Sequence, residues 1–183
     1  KGLTSEKLAN ELIVTSAASA LGLSCPRGFL VFCEERSNFF DSAPVHSSGL
    51  RMYFGSEFSP HPVFMKKLKS DLNKGLRIVA SQSDWGGFSA FDEWVANTDR
   101  HAENLLFDGR DFMIFDHDRT FGWTDVPPSE LLADKQYPIH PFAERVHSEL
   151  HQNERQLAAK RVGEVVSHAE NLDVDSIVES SLA

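Results

Sequence analysis

Asn97-Thr-Asp-Arg-His-Ala-Glu-Asn104, followed by Phe115-Asp-His-Asp118, is the most informative part of the sequence. Between these two stretches, Asp108-Gly109 separates two apolar runs. This dipeptide readily adopts the positive φ angles of a tight turn, so the pattern predicts a β-hairpin. Because a hairpin folds the chain back on itself, Asp116 should return to the neighbourhood of Asn104.

Three oxygen-bearing side chains would then lie at one end of a small sheet, those of Asp99, Asn104 and Asp116. Carboxylate and amide oxygens suit Mg²⁺, which proteins usually hold by one or two carboxylates together with phosphate oxygens and water. Taken singly, each of the three is also a residue type that turns and loops use for their own hydrogen bonds. Their convergence predicts a site for a hard cation.

The composition is that of an ordinary soluble globular protein: 183 residues, of which 41% are hydrophobic and 25% charged. The length fits one domain or slightly more. No run approaches the roughly 20 apolar residues of a membrane-spanning helix. A net charge of −9 argues against general binding to nucleic acid or anionic membranes. Only two cysteines occur, Cys25 and Cys33, which favours a reducing, cytoplasmic location over a disulfide framework.

The acidic residues are concentrated in residues 84–125, which carry 10 acidic and 3 basic residues, a net charge of −7. The same range holds nine Phe and Trp residues. A disordered acidic tail would lack such aromatics, so we expect these carboxylates to belong to a packed structure. Packed carboxylates need cations, metal ions or hydrogen-bond donors as partners.

Hydrophobic periodicity predicts a mixture of helices and short strands. Helices are expected at residues 5–21, 63–82, 88–96, 143–166 and 174–182, and strands at residues 28–33, 50–54, 105–107 and 111–115. Glu11 lies at the border of the apolar face of the first helix. No G-x-G-x-x-G or Walker phosphate-binding loop occurs in the sequence.

The arrangement of Asp99, Asn104 and Asp116 resembles a protein kinase site. In kinases an aspartate accepts the substrate hydroxyl proton, an asparagine five residues later binds Mg²⁺, and a second metal-binding aspartate follows a hairpin. The order Asp-Arg-His at residues 99–101 is similar to that of phosphatidylinositol kinases and HipA-like kinases. Residues 91–106, followed by Ile114-Phe-Asp-His117, resemble the small HipA-like domains in particular.

The N-terminal part of the chain extends this resemblance. Lys1-Gly2, Asn10-Glu11 and Leu21-Gly-Leu-Ser-Cys-Pro26 are similar to the strand lysine, first-helix glutamate and helix end of the HipA-like family. The resemblance implies that Lys1 contacts the α- and β-phosphates of ATP. It further implies that Glu11 holds Lys1 by an ion pair.

The same resemblance gives roles to the residues of the central motif. Asp99 would be the catalytic base, assisted by Asn104. Asn104 and Asp116 would bind Mg²⁺ and, with it, the ATP phosphates. Arg100 and His101 would be supporting residues, with a structural rather than an acid–base role for His101.

The fold implied by the resemblance is protein-kinase-like and α+β. Residues 1–57 would form an incomplete small N-lobe, and residues 58–183 a mainly helical C-lobe carrying the catalytic hairpin. A phosphate-covering loop should precede the lysine strand, so we expect further strands upstream of Lys1. His117-Asp118 stands where protein kinases have Phe-Gly, and Asp118 is therefore either an extra metal ligand or a paired surface acid.

The implied function is an ATP- and Mg²⁺-dependent phosphotransferase acting on serine or threonine of a protein substrate. The expected partners are ATP and that protein, with an antitoxin-like or regulatory protein partner left open. Three alternatives remain at this point: a pseudokinase-type regulator that binds nucleotide or protein, a lipid kinase, and a metal-dependent phosphoesterase. The phosphoesterase would use a mixed Asp/His metal set drawn from residues 99–118.

Overall fold

In a computed structural model the chain is an α+β protein, which confirms the α+β class, while the kinase-like arrangement stays a prediction. The structure describes residues 3–34, 43–60, 71–97, 99–107, 110–121 and 141–182. Within them are six α-helices: α1 (Ser5–Ala20), α2 (Leu72–Ala80), α3 (Trp85–Trp94), α4 (Pro141–Glu149), α5 (Gln152–Ala169) and α6 (Val174–Leu182). The strands are β1 (Gly28–Cys33), β2 (Arg51–Ser56), β3 (Leu105–Phe107) and β4 (Phe112–Ile114). The division into lobes at residues 1–57 and 58–183 stays a prediction.

Helix α1 lies where its apolar periodicity predicted, and it ends before Gly22, which adopts a φ of 69°. Two hydrophobic clusters bury its side chains. Leu8 and Leu12 pack with Phe54 of β2, whereas Val14 joins the larger core. Because α1 is covered by both clusters, the polar residues between its apolar positions are buried as well, and Glu11 is only 1% exposed.

The strands pair as two separate antiparallel sheets. In the first, β1 pairs with β2 with Leu30 opposite Phe54. In the second, β3 pairs with β4 with Leu105 opposite Ile114, which confirms the predicted hairpin. The turn residues 108 and 109 lie outside the described residues. Leu105 and Ile114 are almost fully buried in the larger core, so this short hairpin is anchored by its apolar face.

Helix α3 begins three residues earlier than predicted. Gly86 and Gly87 look like helix breakers in the sequence, but they lie inside the first turn of α3. A Cβ atom on Gly86 would lie 2.2 Å from the carbonyl oxygen of Ala158 on α5. The glycine therefore permits close packing of α3 against α5, a requirement that local propensity does not reveal.

Two predicted helices have different limits in the structure. The single helix expected at 143–166 is wrong, because α4 ends at Glu149 and α5 starts at Gln152. His151 caps α5, and its backbone N–H donates to the Glu154 carboxylate over 2.8 Å. The helix expected at 63–82 is interrupted at Asp71, which caps α2 and accepts a hydrogen bond from the Lys74 backbone N–H. Residues 61–70 lie outside the described residues.

Both cysteines are free thiols. Burial raises the pKa of the Cys25 thiol to about 11, and its Sγ atom lies 3.6 Å from the Thr15 carbonyl oxygen. Across the described ranges, no helix combines the length and the apolar character needed to cross a membrane.

Candidate active site

In the loop that follows α3, a hydrogen bond fixes the position of Asn104 relative to Asp99. The Asn104 side-chain amide donates to the Asp99 carbonyl oxygen over 3.1 Å. The Asp99 backbone N–H donates in turn to the Asn97 side-chain oxygen, also over 3.1 Å. Asn104 is 4% exposed, whereas the Asp99 side chain is about one-third exposed. The five-residue spacing thus buries the amide and leaves the carboxylate accessible.

Between these two residues, His101 has a local structural contact. Its Nδ1 atom accepts the backbone N–H of Glu103 over 3.2 Å and so caps the short 3-10 helix Ala102–Asn104. This contact fits the supporting role that the resemblance implies for His101. The short helix then delivers Asn104 to the start of β3.

Arg100 occupies the centre of the site. Its guanidinium group forms a bidentate ion pair with Asp92 of α3, with Nε–Oδ2 and Nη2–Oδ1 distances of 2.9 Å. Nη1 donates to the carbonyl oxygens of Asn104 and Phe115 over 3.1 and 2.7 Å. Arg100 is 3% exposed and Asp92 is 5% exposed, so the pair is inside the protein.

The hairpin brings Asp116 back to the site as predicted in outline. The Phe115 backbone N–H donates to the Asn104 carbonyl oxygen over 3.3 Å, which joins the two ends of the hairpin. Asp116 then adopts a φ of 64°, a left-handed conformation that is uncommon for residues other than glycine. Such conformations persist where the surroundings determine them, and they cluster at functional sites.

Asp116 lines a cavity of about 320 Å³ that lies between the two sheets. Its other walls come from α1, β2 and the end of β4, and the lining residues are Glu11, Thr15, Pro26, Phe54, Gly55, Ser56, Ile114 and Phe115. The cavity thus has an apolar wall, formed by β2, and two carboxylate-bearing lining residues, Glu11 and Asp116. Apolar walls with a few polar groups at one end are typical of sites for small organic ligands.

Helix α1 is fastened to the segment that follows Asp116. The buried Glu11 carboxylate accepts the backbone N–H of His117 over 2.8 Å. The neighbouring Asn10 donates its side-chain amide to the Thr120 carbonyl oxygen over 3.3 Å. Lys1, the predicted ion-pair partner of Glu11, lies outside the described residues. Its role stays a prediction.

Two acids of the motif form ion pairs with cations that sequence reasoning did not identify. Asp118 lies 3.6 Å from the ammonium group of Lys7, which favours the paired-acid interpretation of Asp118. The Asp99 carboxylate lies 3.2 Å from Arg119, in a pair whose members are 35% and 45% exposed. Exposed pairs of this kind are weak, so Arg119 can leave Asp99 at little energetic cost.

The donor set suits Mg²⁺ shared with a phosphate better than a metal cage made of protein alone. No group of three or more His, Cys, Asp or Glu in the described part of the chain is arranged to hold a metal ion. Asn104 and Asp116 instead offer one amide and one carboxylate beside a ligand-sized cavity. Mg²⁺ commonly takes one or two protein oxygens and completes its shell with phosphate and water. This set does not favour the two-metal phosphoesterase.

Glu11 and Asp116 line the cavity, and Asp99 and Asn104 lie at the hairpin end. Sequence reasoning named all four as candidates. It missed Asp92, whose carboxylate is held by Arg100 and by the Asn97 amide at 2.8 Å. A usable signal was the occurrence of an acid on α3 shortly before Arg100. A buried arginine needs such a partner.

Comparison with known proteins identifies the family of the chain. A family model described as HipA-like kinase matches residues 1–174. Neither a curated protein nor a solved structure matches the chain. Since the match covers nearly the whole sequence and includes every site residue named above, the chain belongs to the HipA-like kinase family.

Proposed function

We propose that the protein is an ATP- and Mg²⁺-dependent phosphotransferase acting on serine or threonine of a protein. The observation that carries this proposal is the cavity lined by Glu11 and Asp116, next to the hairpin end where Asn104 is fixed. A nucleotide in that cavity would meet apolar contacts from β2. Its phosphates would face the carboxamide and carboxylate oxygens.

In this proposal each polar residue has a distinct task. Asp99 accepts the proton of the substrate hydroxyl. The hydroxyl oxygen forms a bond to the γ-phosphorus of ATP as the bond between that phosphorus and ADP breaks. Asn104 and Asp116 hold Mg²⁺, which when bound neutralises charge on the phosphate oxygens. Lys1 contacts the α- and β-phosphates, held by Glu11. Release of Arg119 from Asp99 would precede substrate entry.

A protein substrate is favoured over a lipid by family and charge. A chain with a net charge of −9 is repelled by anionic membrane surfaces. The HipA-like family resemblance supports serine or threonine as the acceptor.

The second candidate is a pseudokinase-type regulator, favoured by one observation. The Asp99 carboxylate is occupied by Arg119, so the residue expected to accept a proton already has a cationic partner. A regulator would bind ATP with Mg²⁺ without transferring phosphate.

The test combines ATP binding by calorimetry, with and without Mg²⁺, and transfer of label from γ-labelled ATP to protein. We expect Asp99→Asn to lower the transfer rate by about 10²-fold or more with ATP affinity retained. Asp116→Asn should weaken Mg²⁺-dependent ATP binding by about tenfold or more.

Asp111→Asn is the matched control, because Asp111 is an exposed acid just before the second strand of the hairpin and pairs with Arg110. Its ATP affinity and its transfer rate should both equal those of the parent. Mg²⁺-dependent binding without transfer in the parent would favour the regulator. Absence of ATP binding in the parent would exclude both functions.

A further inference from the structure

The side chain of Arg100 uses all of its hydrogen-bonding capacity within the protein. A guanidinium group has five N–H donors. Five contacts surround it: two to the Asp92 carboxylate, one each to the carbonyl oxygens of Asn104 and Phe115, and one to Nδ1 of His117 at 3.2 Å. Because arginine only donates, Nδ1 of His117 is the acceptor in this contact.

These contacts lie on both sides of the two proposed metal ligands. Arg100 binds the carbonyl oxygen of Asn104 itself. It also binds the residue before Asp116, through the Phe115 carbonyl, and the residue after it, through the His117 ring. The rigid, planar guanidinium group of Arg100 therefore bridges the two ends of the hairpin, at Asn104 and around Asp116. It contacts the residues on either side of Asp116, whose backbone is left-handed.

Asp92 fixes the guanidinium group from the opposite side. Its two oxygens hold Nε and Nη2, and its Oδ1 also accepts the Asn97 amide over 2.8 Å. Asp92 lies on α3, whose side chains Trp85 and Phe91 are part of the larger core. The ring of Phe91 also meets the His117 ring edge-on, with centroids 6.1 Å apart. The two contacts from Asp92 thus connect the orientation of Arg100 to a helix that is packed into the core.

We propose that Arg100, held by Asp92, is a positioning residue that sets the distance between Asn104 and Asp116 needed for Mg²⁺ and the ATP phosphates. This inference rests on the proposed function of the same site. Lysine cannot replace arginine here, since one ammonium group cannot hold a carboxylate bidentately and still reach both carbonyl oxygens.

The test compares Arg100→Lys with Arg77→Lys. Arg77 is a matched control because it too binds a carboxylate through two nitrogens, that of Glu154, and donates to one backbone carbonyl, that of Glu149 at 3.0 Å. Arg77 is on α2 and does not line the cavity. Two quantities are measured on the full chain: the Mg²⁺ concentration for half-maximal ATP binding, by calorimetry, and the thermal unfolding midpoint.

We expect Arg100→Lys to raise the half-saturating Mg²⁺ concentration by about tenfold or more, as loss of residues that orient metal ligands usually does. Arg77→Lys should lower the unfolding midpoint and leave the half-saturating Mg²⁺ concentration within about twofold of the parent. The hydrogen bonds lost there stabilise the fold and do not involve the proposed metal ligands. If Arg100→Lys lowers only the unfolding midpoint, the positioning role is wrong.

A second variant covers the case in which Arg100→Lys does not fold. Asp92→Asn keeps the shape and one accepting oxygen, and it should also raise the Mg²⁺ requirement, by a smaller factor. An unchanged Mg²⁺ requirement in folded Asp92→Asn would overturn the inference. The proposed function fails separately, through absence of Mg²⁺-dependent ATP binding in the parent protein.

Discussion

At the scale of single residues, Glu11 shows how a buried charge connects distant parts of the chain. It is 1% exposed, and its carboxylate accepts the His117 backbone N–H, 106 residues further along the sequence. Because that N–H is buried too, the hydrogen bond satisfies a donor that water cannot reach. Glu11 thereby links α1 to the residue that follows Asp116.

We predict that Glu11→Ala lowers the free energy of unfolding by about 1–3 kcal/mol, because the His117 N–H loses its acceptor. Glu11→Gln keeps an accepting oxygen and should recover most of that loss. Urea unfolding measures both. The control is Glu6→Ala, an exposed acid on the same helix, which should stay within about 0.5 kcal/mol of the parent. Equal losses in Glu11→Ala and Glu11→Gln would show that the hydrogen bond is not the cause.

At the scale of elements, the contact of α3 with α5 depends on a glycine. The backbone of Ala158 lies so close to Gly86 that a Cβ atom there would come within 2.2 Å of the carbonyl oxygen. Backbone atoms cannot move aside as a flexible side chain does. Any side chain at position 86 would therefore push the two helices apart, and α3 leads directly into the loop that carries Asp99.

We predict that Gly86→Ala costs about 1–3 kcal/mol of stability, as overpacking of a tight contact usually does. Gly163→Ala is the matched control on α5, because a Cβ atom on Gly163 meets nothing within 4 Å. Alanine is the better helix former, so this control should be neutral or stabilising by up to about 1 kcal/mol. Thermal unfolding of the two variants makes the comparison. Equal effects would contradict the close approach of α3 and α5.

At the scale of the whole molecule, ion pairs offset part of the negative charge that is concentrated in residues 84–125. Five of the ten acids in residues 84–125 form ion pairs within the described part of the chain: Asp84, Asp92, Asp99, Asp111 and Asp118. Much of the concentrated negative charge therefore has protein cations as partners. The expectation of partnered carboxylates is confirmed for these five, and Asp92 and Asp118 are also packed, with side chains only 6% and 14% exposed.

Arg77 and Glu154 join three helices and make stability depend on pH. The hydrogen bonds from Arg77 lower the pKa of Glu154 from its usual 4.5 to about 2. A carboxyl group with a lowered pKa in the folded state stabilises the protein above its usual pKa, and this contribution is lost as the pH falls from about 4.5 towards 2. The pair lies between α2 and α5, with Glu149 of α4 also bound to Arg77.

We predict that Glu154→Gln is less stable than the parent near pH 6 by roughly 1 kcal/mol, a value reduced by the partial exposure of Arg77. The difference between variant and parent should shrink as the pH is lowered from 5 to 2. Denaturant unfolding at several pH values measures it. The control is Glu170→Gln, since Glu170 is an exposed acid at the end of α5. The stability of this variant should change with pH in the same way as that of the parent. A difference that stays constant with pH would contradict the pairing.

The elements that were predicted well depend on local patterns. Apolar periodicity placed α1 and β1 almost to the residue, and Asp108-Gly109 between two apolar runs predicted the pairing of β3 with β4. The predicted helix limits failed at Gly86, Asp71 and His151. At Gly86 a long-range contact outweighed propensity. At the other two positions a capping hydrogen bond interrupted a continuous apolar pattern.

Local sequence patterns were enough to predict the family, the α+β class and the order of Asp99, Asn104 and Asp116, because spacing and turn chemistry are properties of neighbouring residues. The groups that hold these residues in place became visible only in the folded chain. Arg100 meets Asp92 and both ends of the hairpin, Glu11 meets His117, and Arg119 covers Asp99. The physical reason is that a buried donor or charge requires a partner, and which partner it finds depends on how the chain packs over long range.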